Sequence, residues 1–113
     1  MKKISSNSAR HEKPGPGEAP WTFLTNHAHV LWCIYRDPEV RIRDLAQLVG
    51  ITERMVQRIV NDLAAADYVS IEKQGRCNVY RLRPERPLRH PLESHCQVGQ
   101  LLELLKRSAR SLR

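Results

Sequence analysis

Arg54, Gln57, Arg58 and Asn61 fall three and four residues apart, with Glu53 just ahead of them. On an α-helix that spacing collects side chains on one face. The chemistry such a row can do is recognition. An Arg guanidinium offers paired donors to guanine, Asn or Gln pairs with adenine, and a carboxylate accepts from cytosine. Glu53 can also sit at the N-terminus of its helix simply because the helix dipole favours a negative charge there. Met55 lies inside the same run and can either touch a thymine methyl or pack inward. Two more cations, Lys73 and Arg76, flank Gly75 further along. Bond-making chemistry has no comparable pattern. The chain contains no G-x-S-x-G, no G-x-x-x-x-G-K-[ST] and no HExxH, and GPGE at 15–18 lacks the strand–helix setting of a phosphate loop. The expectation is a non-enzymatic protein with no cofactor.

The elements that must position these residues can be read from the apolar pattern. Val56, Val60 and Leu63 recur at i, i+4 and i+7, and Ile59 widens that face. The spacing predicts a helix over 52–66, with Thr52 as its N-cap. Ile42, Leu45 and Ala46, with Leu48 and Val49, predict a preceding helix near 42–50. Gly50 suits its C-terminus, where a positive φ is needed. Two short helices joined by Gly-Ile-Thr make a helix–turn–helix, one side anchored in a core and the other offered to base edges and phosphates. Tyr68, Val69 and Ile71 open a strand near 68–73, and Val79, Tyr80 and Leu82 mark another near 78–83. A hairpin loop over 73–78 would then project Lys73 and Arg76, with Gly75 supplying a positive φ. Residues 40–42 are expected to add a short strand beside it.

Leu45-Ala46, Val49-Gly50-Ile51-Thr52, and Val56 with Arg58-Ile59-Val60 and Leu63 resemble the winged-helix regulators of the MarR and ArsR type. The run VSIEKQGRCNVYRL at 69–82 looks like their wing. The resemblance covers roughly residues 21–112. Asp67 departs from it, because such sequences usually carry Gly after the second helix; Asp tolerates the left-handed region better than most residues. The resemblance implies a mainly α fold with a small β-hairpin, an α+β winged helix-turn-helix with an added C-terminal dimerisation helix. It implies a sequence-specific regulator of double-stranded DNA, its second helix in the major groove. The expected contacts are Thr52, Glu53, Arg54, Gln57, Arg58 and Asn61, with Lys73 and Arg76 from a wing on the backbone or in the minor groove. Arg76 is the candidate for insertion, since a narrow minor groove favours Arg.

Length and charge agree with this reading. A chain of 113 residues fits one small domain, and a net charge of +7 favours an anionic partner. Residues 1–20 carry KPGPGEAP and no apolar periodicity, and are expected to be a disordered arm; residues 21–83 form the DNA-binding unit and 84–113 a connector and last helix. No stretch reaches the roughly 18 apolar residues a membrane span requires. Cys33, Cys77 and Cys96 cannot all pair within one chain, so a cytoplasmic protein without a disulfide framework is expected.

Two other helices complete the plan. HAHVLWCIY is apolar almost all round, predicting a first helix near 26–36 that is covered on more than one side. Asp37-Pro38 stops it. A last helix is expected from near Pro91, with Leu92, His95, Val98, Leu102 and Leu105 as its stripe, broadened by Leu101, Leu104 and Leu112. These two helices together predict a two-fold homodimer, which would set two reading helices about 34 Å apart. Other readings stand beside this one: a winged-helix module that binds protein and has no specific DNA target, or a repressor that senses a metal, a redox change or an unidentified small molecule. His27 and His29 point to different helix faces. His90, His95 and Cys96 match no strong zinc pattern. No metal is expected.

Overall fold

The computed structural model describes residues 20–111. Residues 1–19 of the expected arm, and Leu112, lie outside them. The described chain runs α1 (Asn26–Arg36), α2 (Ile42–Val49), α3 (Glu53–Ala65), β1 (Val69–Gln74), β2 (Cys77–Leu82) and α4 (Val98–Ser111). This is a winged-helix α+β arrangement, with three helices packed round one core and an antiparallel hairpin at its edge.

The first helix begins where Thr25 accepts the Ala28 N–H at 3.2 Å. It ends where Asp37 turns the chain, its carboxylate accepting the Glu39 N–H. Val30, Leu31 and Ile34 are buried. Against them pack Leu45 and Ala46 of α2, and Val56, Ile59, Val60 and Leu63 of α3. Each large aliphatic side chain so buried contributes about 1.5–3 kcal/mol relative to exposure. Beyond that core, Trp32, Cys33 and Tyr35 of α1 are half-buried. Burial pushes the Cys33 thiol above its ordinary range, against a small opposing pull from Arg36. A thiol raised by burial is the opposite of what thiolate reactivity requires.

Both helix junctions of the α2–α3 unit close by backbone chemistry. Gly50 sits at φ 86°, and the Ile51 N–H reaches back to the Ala46 carbonyl at 3.0 Å. That is the six-to-one bond of a Schellman turn, which needs a left-handed residue in the middle. The end of α3 repeats the device. Asp67 stands at φ 69°, Tyr68 N–H bonds Leu63 O at 2.9 Å, and Asp67 N–H bonds Ala64 O at 3.0 Å. Asp67 therefore takes the left-handed conformation, which Asp tolerates better than most non-Gly residues. Arg83 faces its carboxylate at 3.4 Å.

The hairpin pairs Val69 with Leu82 at its base and Gln74 with Cys77 at its tip. Only Gly75 and Arg76 remain in the turn, so the loop is shorter than the sequence reading of 73–78. Gly75 takes φ 65°, as the first central residue of a type II′ turn does. Residues 40–42 do not form a third strand. Instead the Tyr80 N–H bonds Pro38 O at 2.9 Å, because Pro38 lies beside β2 while Ile42 is already helical.

The last helix corrects the sequence reading most. It starts at Val98, seven residues after Pro91. Residues 90–96 instead fold into successive turns, with Glu93 N–H on His90 O and Cys96 N–H on Glu93 O. The helix start is set elsewhere. Val98 N–H bonds Arg86 O at 2.8 Å and Gly99 N–H bonds Pro84 O at 2.9 Å, so connector carbonyls satisfy first-turn donors. Gln100 reaches back to the Gln97 N–H at 2.8 Å, in the manner of a capping box. Buried Val98 and Leu102 then anchor α4 to the core. Tyr35 donates to Glu103 at 2.9 Å, which holds the Tyr35 phenol above its ordinary range.

Gly99 marks the tightest of these contacts. A Cβ there would lie 2.7 Å from Pro84 Cβ and 2.9 Å from Pro84 O. The variant Gly99→Ala should therefore lose about 1–3 kcal/mol in urea unfolding, as overpacked sites do. A variant as stable as the parent would show that the connector does not clamp the helix.

Candidate nucleic-acid interface

The Thr52 hydroxyl accepts the Met55 N–H at 3.0 Å and fixes where α3 begins. From that cap the helix divides cleanly. Val56, Ile59, Val60 and Leu63 are buried, while Glu53, Arg54, Gln57, Arg58 and Asn61 are exposed. Gln57 donates to Asn61 at 3.3 Å, so these two amides lie along one line of the outer face. No acidic group lies within ion-pair distance of Arg54 or Arg58 among the described residues. The six residues expected from the sequence on this helix thus share its outward side, Thr52 through the cap.

Lys73 and Arg76 stand apart from them, at the exposed tip of the hairpin. Neither has an ion-pair partner among the described residues. Below the tip, Arg81 is tied to Glu72 at 3.0 Å across the strands. The free cations are therefore at the end of the wing, and the paired one is on its stem. The hairpin is held to α3 through the Leu63–Tyr68 turn and buried Val69.

Two features escaped the sequence reading. Arg43 is exposed on α2 with no ion partner among the described residues, on the helix that crosses the backbone in a helix–turn–helix. Its place on the polar side of a short amphipathic helix was the available signal. His27 bonds Asp62 at 2.8 Å and ties α1 to α3. That contact spans 35 residues and leaves no local pattern. Beside it opens a cleft of about 610 Å³ between α1, the end of α3, the connector and α4, floored by Leu31, Leu63 and Leu102. Among the described residues, no three His, Cys, Asp or Glu side chains gather as a metal site. One ring nitrogen of His90 accepts the Leu92 N–H. No helix among the described residues is long and apolar enough to cross a membrane.

Comparison with known proteins agrees with this geometry. Residues 25–70 match the model of the winged helix-turn-helix DNA-binding family. The match spans α1, α2, α3 and the start of β1, and leaves the wing tip and α4 outside it. No curated protein matches the chain.

The cap that sets the start of α3 has a separable effect on stability. Thr52→Ala should cost about 1 kcal/mol of unfolding free energy, and Thr52→Ser should restore most of it. Equal stability of all three proteins in urea would show that the hydroxyl is not a cap.

Proposed function

We propose that the protein is a sequence-specific regulator of double-stranded DNA that acts as a homodimer. The observation that carries this reading is the division of α3: its apolar face is wholly buried, while Arg54, Gln57, Arg58 and Asn61 face outward within a segment that matches a DNA-binding family. In the mechanism, α3 lies in the major groove and its outward side chains meet base edges. Lys73 and Arg76 contact the flanking backbone or minor groove. The finer likeness to MarR- and ArsR-type regulators fits a protein of this size with a helix appended to the wing. The cytoplasm is the compartment where such a protein would meet its target.

The dimer rests on where apolar surface is left open. Trp21 and Phe23 form an edge-to-face pair at 5.1 Å, yet Phe23 is 92% exposed. Leu92 is 80% and Leu104 54% exposed. Leu92 precedes Glu93 of the cleft lining, Leu104 follows Leu102 by two residues and Phe23 precedes Thr25 by two, so the last helix and the entry to the first offer a surface a second copy can cover. The cleft itself has the volume of a small-molecule site, where an effector could couple to α3 through Asp62.

Enrichment from a random duplex pool at ~150 mM salt should return a consensus. Against it, Arg54→Ala and Arg58→Ala should each weaken binding by roughly 1–3 kcal/mol. Arg76→Ala should weaken all duplexes evenly and reduce the salt slope by about one. Unchanged affinity in all three variants refutes the site. Sedimentation at micromolar concentration should give a dimer, and Leu104→Glu should shift it toward monomer. A parent protein that sediments as a monomer contradicts the dimer alone.

A further inference from the structure

Among the apolar side chains of α3, Met55 is the large one that is not buried. Val56, Ile59, Val60 and Leu63 complete the core face, and Met55 is left 42% exposed in the first turn. Its backbone N–H is held by the Thr52 hydroxyl, so the point from which its side chain leaves the helix is fixed. It stands one residue from Arg54 and three from Arg58, which places it on the Arg58 side of the outward row. The N-terminal residues of a reading helix are the ones that contact base edges. A methionine there has no donor or acceptor to satisfy. The only apolar group a base pair shows in the major groove is the C5-methyl of a pyrimidine. An unbranched thioether can follow that methyl through several rotamers.

We propose that Met55 is a specificity residue that reads a pyrimidine C5-methyl, supplied by thymine in ordinary DNA. This rests on the reading above, that α3 enters the major groove. The two hydrogen-bonding arginines would then set guanine positions, and Met55 would set a neighbouring thymine that they cannot distinguish.

The test uses the consensus duplex. Each dT is replaced in turn by deoxyuridine, which removes only the methyl group, and each duplex is titrated with parent protein, Met55→Ala and Met55→Leu. At one dT of the site, the parent should bind the uracil duplex about fourfold more weakly, the value of one methyl group removed from contact. Met55→Ala should bind both duplexes equally, and Met55→Leu should keep most of the difference. A parent indifferent to every uracil substitution overturns thymine reading, and so does a Met55→Ala protein that retains the parent's full ratio. A second arm replaces each dC by 5-methylcytosine. A gain that depends on Met55 there identifies methylated cytosine as the source of the methyl. If enrichment returns no consensus at all, the base-reading account of α3 fails, which is a different result from a consensus whose methyls are ignored.

Discussion

Burial of one face of α3 is the constraint on which the rest of the molecule depends. Val56, Ile59, Val60 and Leu63 fill the space against α1, with Leu45 and Ala46 closing it from α2. Four aliphatic side chains, each contributing about 1.5–3 kcal/mol, fix the rotation of a helix with little freedom left. Once that rotation is set, the opposite side of the helix has one place to be, which is solvent. The exposure of Arg54, Gln57, Arg58 and Asn61 therefore follows from packing on the far side of the same helix. The polar row costs the core nothing, because none of its members must be desolvated for the domain to fold.

Two left-handed residues hold this arrangement at its ends. Gly50 turns the chain from α2 into α3, and Asp67 turns it from α3 into β1. Both are Schellman turns in which carbonyls that the helix leaves over find backbone donors. The second places Tyr68 and Val69 in the core and launches the hairpin directly from the helix end. The wing is thus carried by α3, and a change in the position of one is passed to the other. Of the tip cations, Arg76 lies in the two-residue turn and Lys73 in the strand just before it, at the far end of that hairpin from the helix.

The sequence was most legible where local pattern and packing agree. The 3.6-residue spacing of Val56, Val60 and Leu63, the Gly50-Ile51-Thr52 turn and the Thr52 cap all place α3 within a residue of its observed bounds. The candidate contacts on α3 could be read because they are simply the complement of the apolar stripe. Legibility failed where non-local hydrogen bonds decide. Pro91 is a good first residue for a helix, yet α4 begins at Val98 because the carbonyls of Pro84 and Arg86 wait there. Neither carbonyl leaves a mark in the spacing of side chains. Residues 40–42 were apolar enough for a strand, but the ladder partner of β2 on that side is one carbonyl of Pro38. The His27–Asp62 bond joins residues too far apart for any periodicity to reveal. Trp32 and Tyr35 of α1 are covered partly by each other, by Arg36 and by α4, contacts that the apolar run of α1 does not announce.

On this reading the outward side of α3, and not the cleft or the last helix, meets DNA. The most direct measurement is an amide chemical-shift titration of the labelled protein with a duplex carrying its consensus, at ~150 mM salt where non-specific contacts weaken. The largest shifts should fall on residues 52–61 and on Lys73 to Arg76, with the buried positions between them moving little. Shifts confined to residues 88–93 and α4, with the Arg54 to Asn61 row unmoved, would place the DNA elsewhere on the protein.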